Sequence, residues 1–84
     1  MQQRISTRIS MSTQTGHLLA ARRKALKLSQ KVVAARLGIS QNRLSVIEAD
    51  PSRLTLDRLI SLAGMLGFEL VLQDKDSSPT RSEW

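Results

Sequence analysis

The sequence predicts an all-α domain of four to five helices that ends in one short strand. Three observations carry that fold class. Ser29 and Ser40 each open a helical segment, and Gly38 lies between the two segments where the chain must turn. A second helical pattern runs from Thr55 to Gly67, with Leu56, Leu59, Ile60, Ala63 and Leu66 at the spacing of one apolar stripe. Phe68-Glu69-Leu70-Val71-Leu72-Gln73 then breaks the helical period in favour of a β-rich run.

Taken in order, residues 1–13 are rich in Ser, Thr and Gln and low in apolar groups, and they read as a flexible basic N-terminal arm. Arg4 to Ser10 alternates apolar and polar like a half-buried strand, and Arg4 and Arg8 are placed to reach a backbone or a minor groove if the partner is DNA. The first helix is expected over 14–27, capped by Thr13 or Thr15. Leu19 and Leu26 face its core, with Leu18 and Ala25 beside them, and Arg22, Arg23 and Lys24 wrap the other side. His17 reads as an ordinary surface group.

The second helix starts after Ser29 and the third after Ser40. A serine hydroxyl can accept a hydrogen bond from a free N–H of the first turn. Val33 and Leu37 on one helix, and Leu44 and Ile47 on the other, offer narrow apolar stripes to a shared core, with Ile39 filling the corner. This is a tight helix-turn-helix. Gln41, Asn42, Arg43, Ser45 and Val46 stay outside, as the side chains of a helix entering a major groove would. Gln41 and Asn42 can grip adenine through two hydrogen bonds, Arg43 can reach guanine or a phosphate, and Ser45 suits either base type. Val32, between Lys31 and Val33, has no account in the pattern. Gln30 and Lys31 sit where the positive end of the second helix can hold a phosphate. Asp50-Pro51 stops the third helix, because proline lacks an N–H and disfavours helix in the residue before it.

Thr55 caps the fourth helix and Asp57 suits the positive end of its dipole. Leu62 and Met65 lie off its main stripe and are read, with Phe68, Leu70 and Leu72, as a dimer interface. A lone strand at 68–73 leaves its backbone groups unpaired, so pairing with the same strand of a second copy is the expected solution. Residues 74–84 read as a disordered tail, and Trp84, the only Trp, is a candidate anchor for another protein.

Charge is unevenly divided. The net charge is +6. Residues 1–28 carry six basic groups and no acid, while residues 55–84 carry three against five. A polyanion would therefore approach the helix-turn-helix end. With no cysteine, no disulfide forms and no thiolate can ligate a metal, and a single His builds no metal site, so no cofactor is expected. One His and no clustered carboxylates supply no nucleophile–base set, which argues against an enzyme. No apolar run reaches the ~18 residues of a membrane span and no leader pattern appears, so the expected location is the cytoplasm.

The order Ser29-Gln30, Val33-Ala34, Leu37-Gly38-Ile39-Ser40, Leu44-Ser45 and Ile47-Glu48 resembles the Cro/C1-type (XRE) helix-turn-helix of phage repressors and bacterial antitoxins, over about residues 14–67. Val33 stands where the family usually has Leu. The resemblance implies a lambda-repressor-like fold and a pair between Arg23 and Glu48. It also implies a phosphate contact from Gln30, and Lys31, Ser40 and Arg23 are read as further DNA backbone contacts. The helix ending Leu66-Gly67, the strand after it and the tail ending Glu83-Trp84 resemble the HipB antitoxins, DNA-binding partners of HipA-like serine/threonine kinase toxins. That resemblance implies a homodimer, repression at palindromic operators of its own operon and neutralisation of a kinase. The alternatives are a stand-alone phage-type or metabolic repressor, and a partner-inhibiting module that meets DNA only incidentally.

Overall fold

Hydroxyl groups start three of the four α-helices among the described residues. The computed structural model describes residues 6–75. It places helix α1 at Ser12–Ala25, α2 at Gln30–Leu37, α3 at Gln41–Ala49 and α4 at Leu56–Met65, with one 3-10 turn at Pro51–Arg53. Ser29 Oγ accepts from Val32 N–H at 3.1 Å, Ser40 Oγ from Arg43 N–H at 3.0 Å and Thr55 Oγ1 from Arg58 N–H at 3.2 Å. Each bond satisfies a donor that the helix leaves free.

Helix α1 starts differently from expectation. Gln14 Oε1 reaches back to accept from Ser10 N–H and Met11 N–H, at 2.8 and 3.0 Å. The helix therefore begins at Ser12, and Thr13 and Thr15 lie inside it instead of capping it.

The ends of α1, α2 and α4 share one device. In each, a residue with positive φ reverses the chain: Lys27 at 60°, Gly38 at 76° and Gly67 at 81°. The next N–H then closes back onto the helix, Leu28 to Arg23 O (3.0 Å), Ile39 to Ala34 O (3.0 Å) and Phe68 to Ala63 O (2.8 Å). Leu28, Ile39 and Phe68 thereby turn inward onto the core. Only α1 uses a side chain with a Cβ at the left-handed position. Lys27→Gly is accordingly expected to stabilise the chain by about 0.5–1 kcal/mol, read as a higher urea midpoint. A lower midpoint would mean that the lysine side chain makes contacts outweighing its backbone strain.

The core consists of Leu19, Val33, Ala34, Leu44, Ile47, Leu62 and Leu66, with Leu37, Ile39, Leu59 and Met65 packed at its edge. Helix α3 packs on both α1 and α2. Gly16 makes its approach to α1 possible: a Cβ at this buried position would fall on Glu48 O and sit 3.1 Å from Pro51 Cδ.

Three expectations are corrected here. Leu26 is 41% exposed, because α1 ends before it and Leu28 takes the inward place. The stripe of α4 is rotated: Leu62, Ala63 and Leu66 are 1–3% exposed, while Leu56 and Ile60 stand 65% and 52% exposed. Leu62 is thus a core residue, unavailable to a partner, and the free apolar face of α4 is formed by Leu56 and Ile60. No strand forms among the described residues; residues 68–73 run without a ladder, since no neighbouring edge among those residues offers them partners. Leu70 and Leu72 are exposed there, whereas Phe68 is half-buried under the Arg22 guanidinium, 5.1 Å from the ring centroid. Arg22 Nε also donates to Leu66 O at 2.8 Å, so one side chain satisfies the end of α4 and covers the aromatic. Trp84 and Arg4 lie outside the described residues. No helix among the described residues is long and apolar enough to cross a membrane.

Candidate nucleic-acid interface

Helix α3 presents its polar side to solvent because Leu44 (0% exposed) and Ile47 (6%) hold the opposite side in the core. At about 100° per residue, Asn42 points within about 10° of straight outward, with Ser45 and Val46 about 50° to either side. Gln41 and Arg43 lie on opposite flanks, each about 90–110° from that axis. All five are exposed. Val46, at 58% exposure, is the apolar member of the face.

The helix is anchored at its far end by charge. Arg23 Nε donates to Glu48 Oε2 at 2.7 Å and Nη2 donates to Oε1 at 3.1 Å, while Nη1 donates to Leu28 O at 2.9 Å. Both side chains are about nine-tenths buried. Gln30 Nε2 adds a third donor to Glu48, on Oε1 at 2.9 Å, which ties the first residue of α2 to α3. Burial makes such an arrangement strong only because every donor and acceptor in it is matched. Arg23 is therefore committed inside the fold and is not available to a phosphate, contrary to expectation. Gln30 has committed one of its two amide N–H groups in the same way.

On the near side, the start of α3 borders an open cleft of about 390 Å³, whose lining includes Ser40, Arg43, Arg53, Thr55 and Arg58. Three guanidinium groups in one concavity make it attractive to an anion. Arg58 Nη1 is partly engaged, donating to Leu37 O at 3.0 Å and satisfying the end of α2. Arg43 lies on the cleft flank of α3, about 110° from its outward axis. Lys31 and Ser40 are exposed, and Lys31 lies in the first turn at the positive end of α2.

Arg53 and Arg58 join this surface, and Gly16, buried beneath it, supports it, outside the residues that the helix-turn-helix pattern marks. The two arginines fall outside the helix-turn-helix segment, and their proximity to Arg43 exists only after α4 folds back. The glycine had a local signal, an unexplained Gly inside a helical pattern. Asp50 caps the 3-10 turn that carries Arg53. Its carboxylate accepts from Ser52 Oγ at 2.8 Å and Ser52 N–H at 3.3 Å, and the hydroxyl bond first, then the backbone bond, hold its pKa below the ordinary carboxylate range.

Residues 19–72 match a family model described as helix-turn-helix. The chain is also similar to the uncharacterized HTH-type transcriptional regulator y4dL of Sinorhizobium fredii, 36% identical over 72 residues, which is 82% of this chain and 37% of that protein. The chain thus spans little more than a third of the length of the relative it matches.

Proposed function

Because the chain belongs to the XRE-type helix-turn-helix family, we propose that it is a sequence-specific DNA-binding regulator of transcription whose helix α3 enters the major groove. One observation carries this reading. The outward face of α3 is polar, exposed and rigidly held, and it stands beside a cleft lined by three arginines. In this arrangement Asn42 and Gln41 read adenine, and Ser45 accepts either base type. Arg43, Arg53, Lys31, Ser40 and the first turn of α2 hold the flanking phosphates. Phosphate contacts set the register and base contacts set the sequence preference.

A homodimer completes the proposal. It is supported by the exposed apolar groups that no described segment covers, Leu56 and Ile60 on α4 and Leu70, Val71 and Leu72 after it. Two copies related by a two-fold axis would place their α3 helices in successive major grooves, about 34 Å apart, on a palindromic operator. The unpaired stretch at 68–73 is then free to pair with its counterpart. The resemblance of the C-terminal arrangement to HipB antitoxins supports the finer reading, repression of its own operon and neutralisation of a HipA-like kinase, with Trp84 as a contact. A stand-alone regulator is the alternative.

Selection of bound duplexes from a random-sequence pool tests the core of the proposal. Enriched sites are expected to contain two half-sites centred about 10–10.5 bp apart or a multiple of that. Asn42→Ala or Gln41→Ala should cost about 1–3 kcal/mol and relax the preference at one base pair, whereas Lys31→Ala should weaken all sequences alike. An unchanged preference in both α3 variants would remove α3 as the reading helix. A single half-site would remove the dimer.

A further inference from the structure

Val46 is out of place on the outward face of α3. The surrounding side chains, Asn42, Arg43 and Ser45, are all hydrogen-bonding groups, yet Val46 leaves 58% of its surface in water. It has no role in the core, which Leu44 and Ile47 fill from the other side of the helix. Its backbone closes the last turn of α3: Val46 O accepts from Asp50 N–H at 2.8 Å. A β-branched side chain in a helix is also held in one dominant χ1 rotamer, so its two methyl groups project in a fixed direction.

We propose that Val46 determines sequence specificity by packing against the C5-methyl group of a thymine in the major groove. This rests on the reading of α3 as the recognition helix. Thymine carries the one apolar feature that a base presents in that groove, and an apolar side chain is its natural complement. Asn42 and Val46 are one helical turn apart on the same face, about 6 Å along the axis. At about 3.4 Å per base pair, that separation places the thymine within about two base pairs of the pair read by Asn42. The methyl contact replaces a hydrogen bond with exclusion of water, so it distinguishes thymine from cytosine without any polar group from the protein.

The test uses the full chain and duplexes selected from a random pool. The enriched sites are expected to hold a thymine within two steps of the base pair whose preference relaxes in Asn42→Ala. Replacing that thymine with deoxyuridine removes the methyl group alone. Affinity of the native chain should fall about fourfold per half-site, the value of one buried methyl. The same replacement should change the affinity of Val46→Ala by less than about twofold, because the partner of the methyl is gone. Val46 is exposed, so this variant keeps its fold, which circular dichroism checks. Enrichment of a site in which deoxyuridine costs nothing, or costs both proteins equally, would overturn the assignment of Val46 and leave α3 as the reading helix. Failure to enrich any sequence would overturn both.

Discussion

Replacing Glu48 with alanine is expected to destabilise the chain by about 3–5 kcal/mol, the usual cost of removing one partner of a buried ion pair. The size follows from what is left behind. Arg23, 8% exposed, would keep its charge with Nε and Nη2 unmatched, and Gln30 Nε2 would lose its acceptor. For a chain of this length the total stability is only about 4–12 kcal/mol, so the substitution removes at least about a quarter of it. Urea denaturation of the native chain and the variant reads the difference. A loss below about 1 kcal/mol would show that the pair behaves like a solvent-exposed one. Replacing both partners together with apolar residues of similar volume should recover much of the loss, because no charge is then stranded. In that double variant, reading of DNA would report whether the ion pair also positions α3.

Two glycine substitutions are expected to move stability in opposite directions. Gly16→Ala places a methyl group against Glu48 O, a backbone atom that cannot rotate away, and close to Pro51 Cδ. The helix must separate from α3 or distort, at a cost of about 1–3 kcal/mol, and Gly16→Val should cost more. Gly64→Ala meets nothing within 4 Å and lies within α4, so it should stabilise by about 0.5–1 kcal/mol through the better helix propensity of alanine. The pair controls for propensity, since both exchanges are the same chemically. Equal shifts in the two thermal midpoints would mean that α1 and α3 do not meet as closely as described. Because Gly16 contacts the residue that anchors α3, Gly16→Ala should also weaken DNA binding more than its effect on folding accounts for.

What could be read from the chain was whatever depends on neighbours in sequence. The serine and threonine caps at Ser29, Ser40 and Thr55, the positive-φ glycines Gly38 and Gly67, and the stop at Asp50-Pro51 are local chemistry, decided within a few residues. The exposed face of α3 followed from the spacing of Leu44 and Ile47. The Arg23–Glu48 pair joins residues 25 apart in sequence, and only the family pattern pointed to it. Competition between local options was harder to read. Thr13 and Thr15 were reasonable caps for α1, but the Gln14 amide won by reaching back to two free N–H groups at once.

Tertiary packing decided the rest. An i, i+3, i+4 pattern in α4 allowed more than one apolar face, and only docking against α1, α2 and α3 selected Leu62, Ala63 and Leu66 for the core and left Leu56 and Ile60 outside. Helical periodicity fixes which residues share a face, while the fold chooses which of two adjacent faces is buried. The commitment of the Arg23 guanidinium, and the convergence of Arg43, Arg53 and Arg58 around one cleft, likewise depend on long-range placement that no local rule encodes. By itself, the sequence determined where each helix of the helix-turn-helix begins and ends and which side of α3 faces outward, because those depend on contacts a few residues long. The close approach at Gly16, the buried charge that locks α3 and the cleft beside it were settled only when distant segments came together.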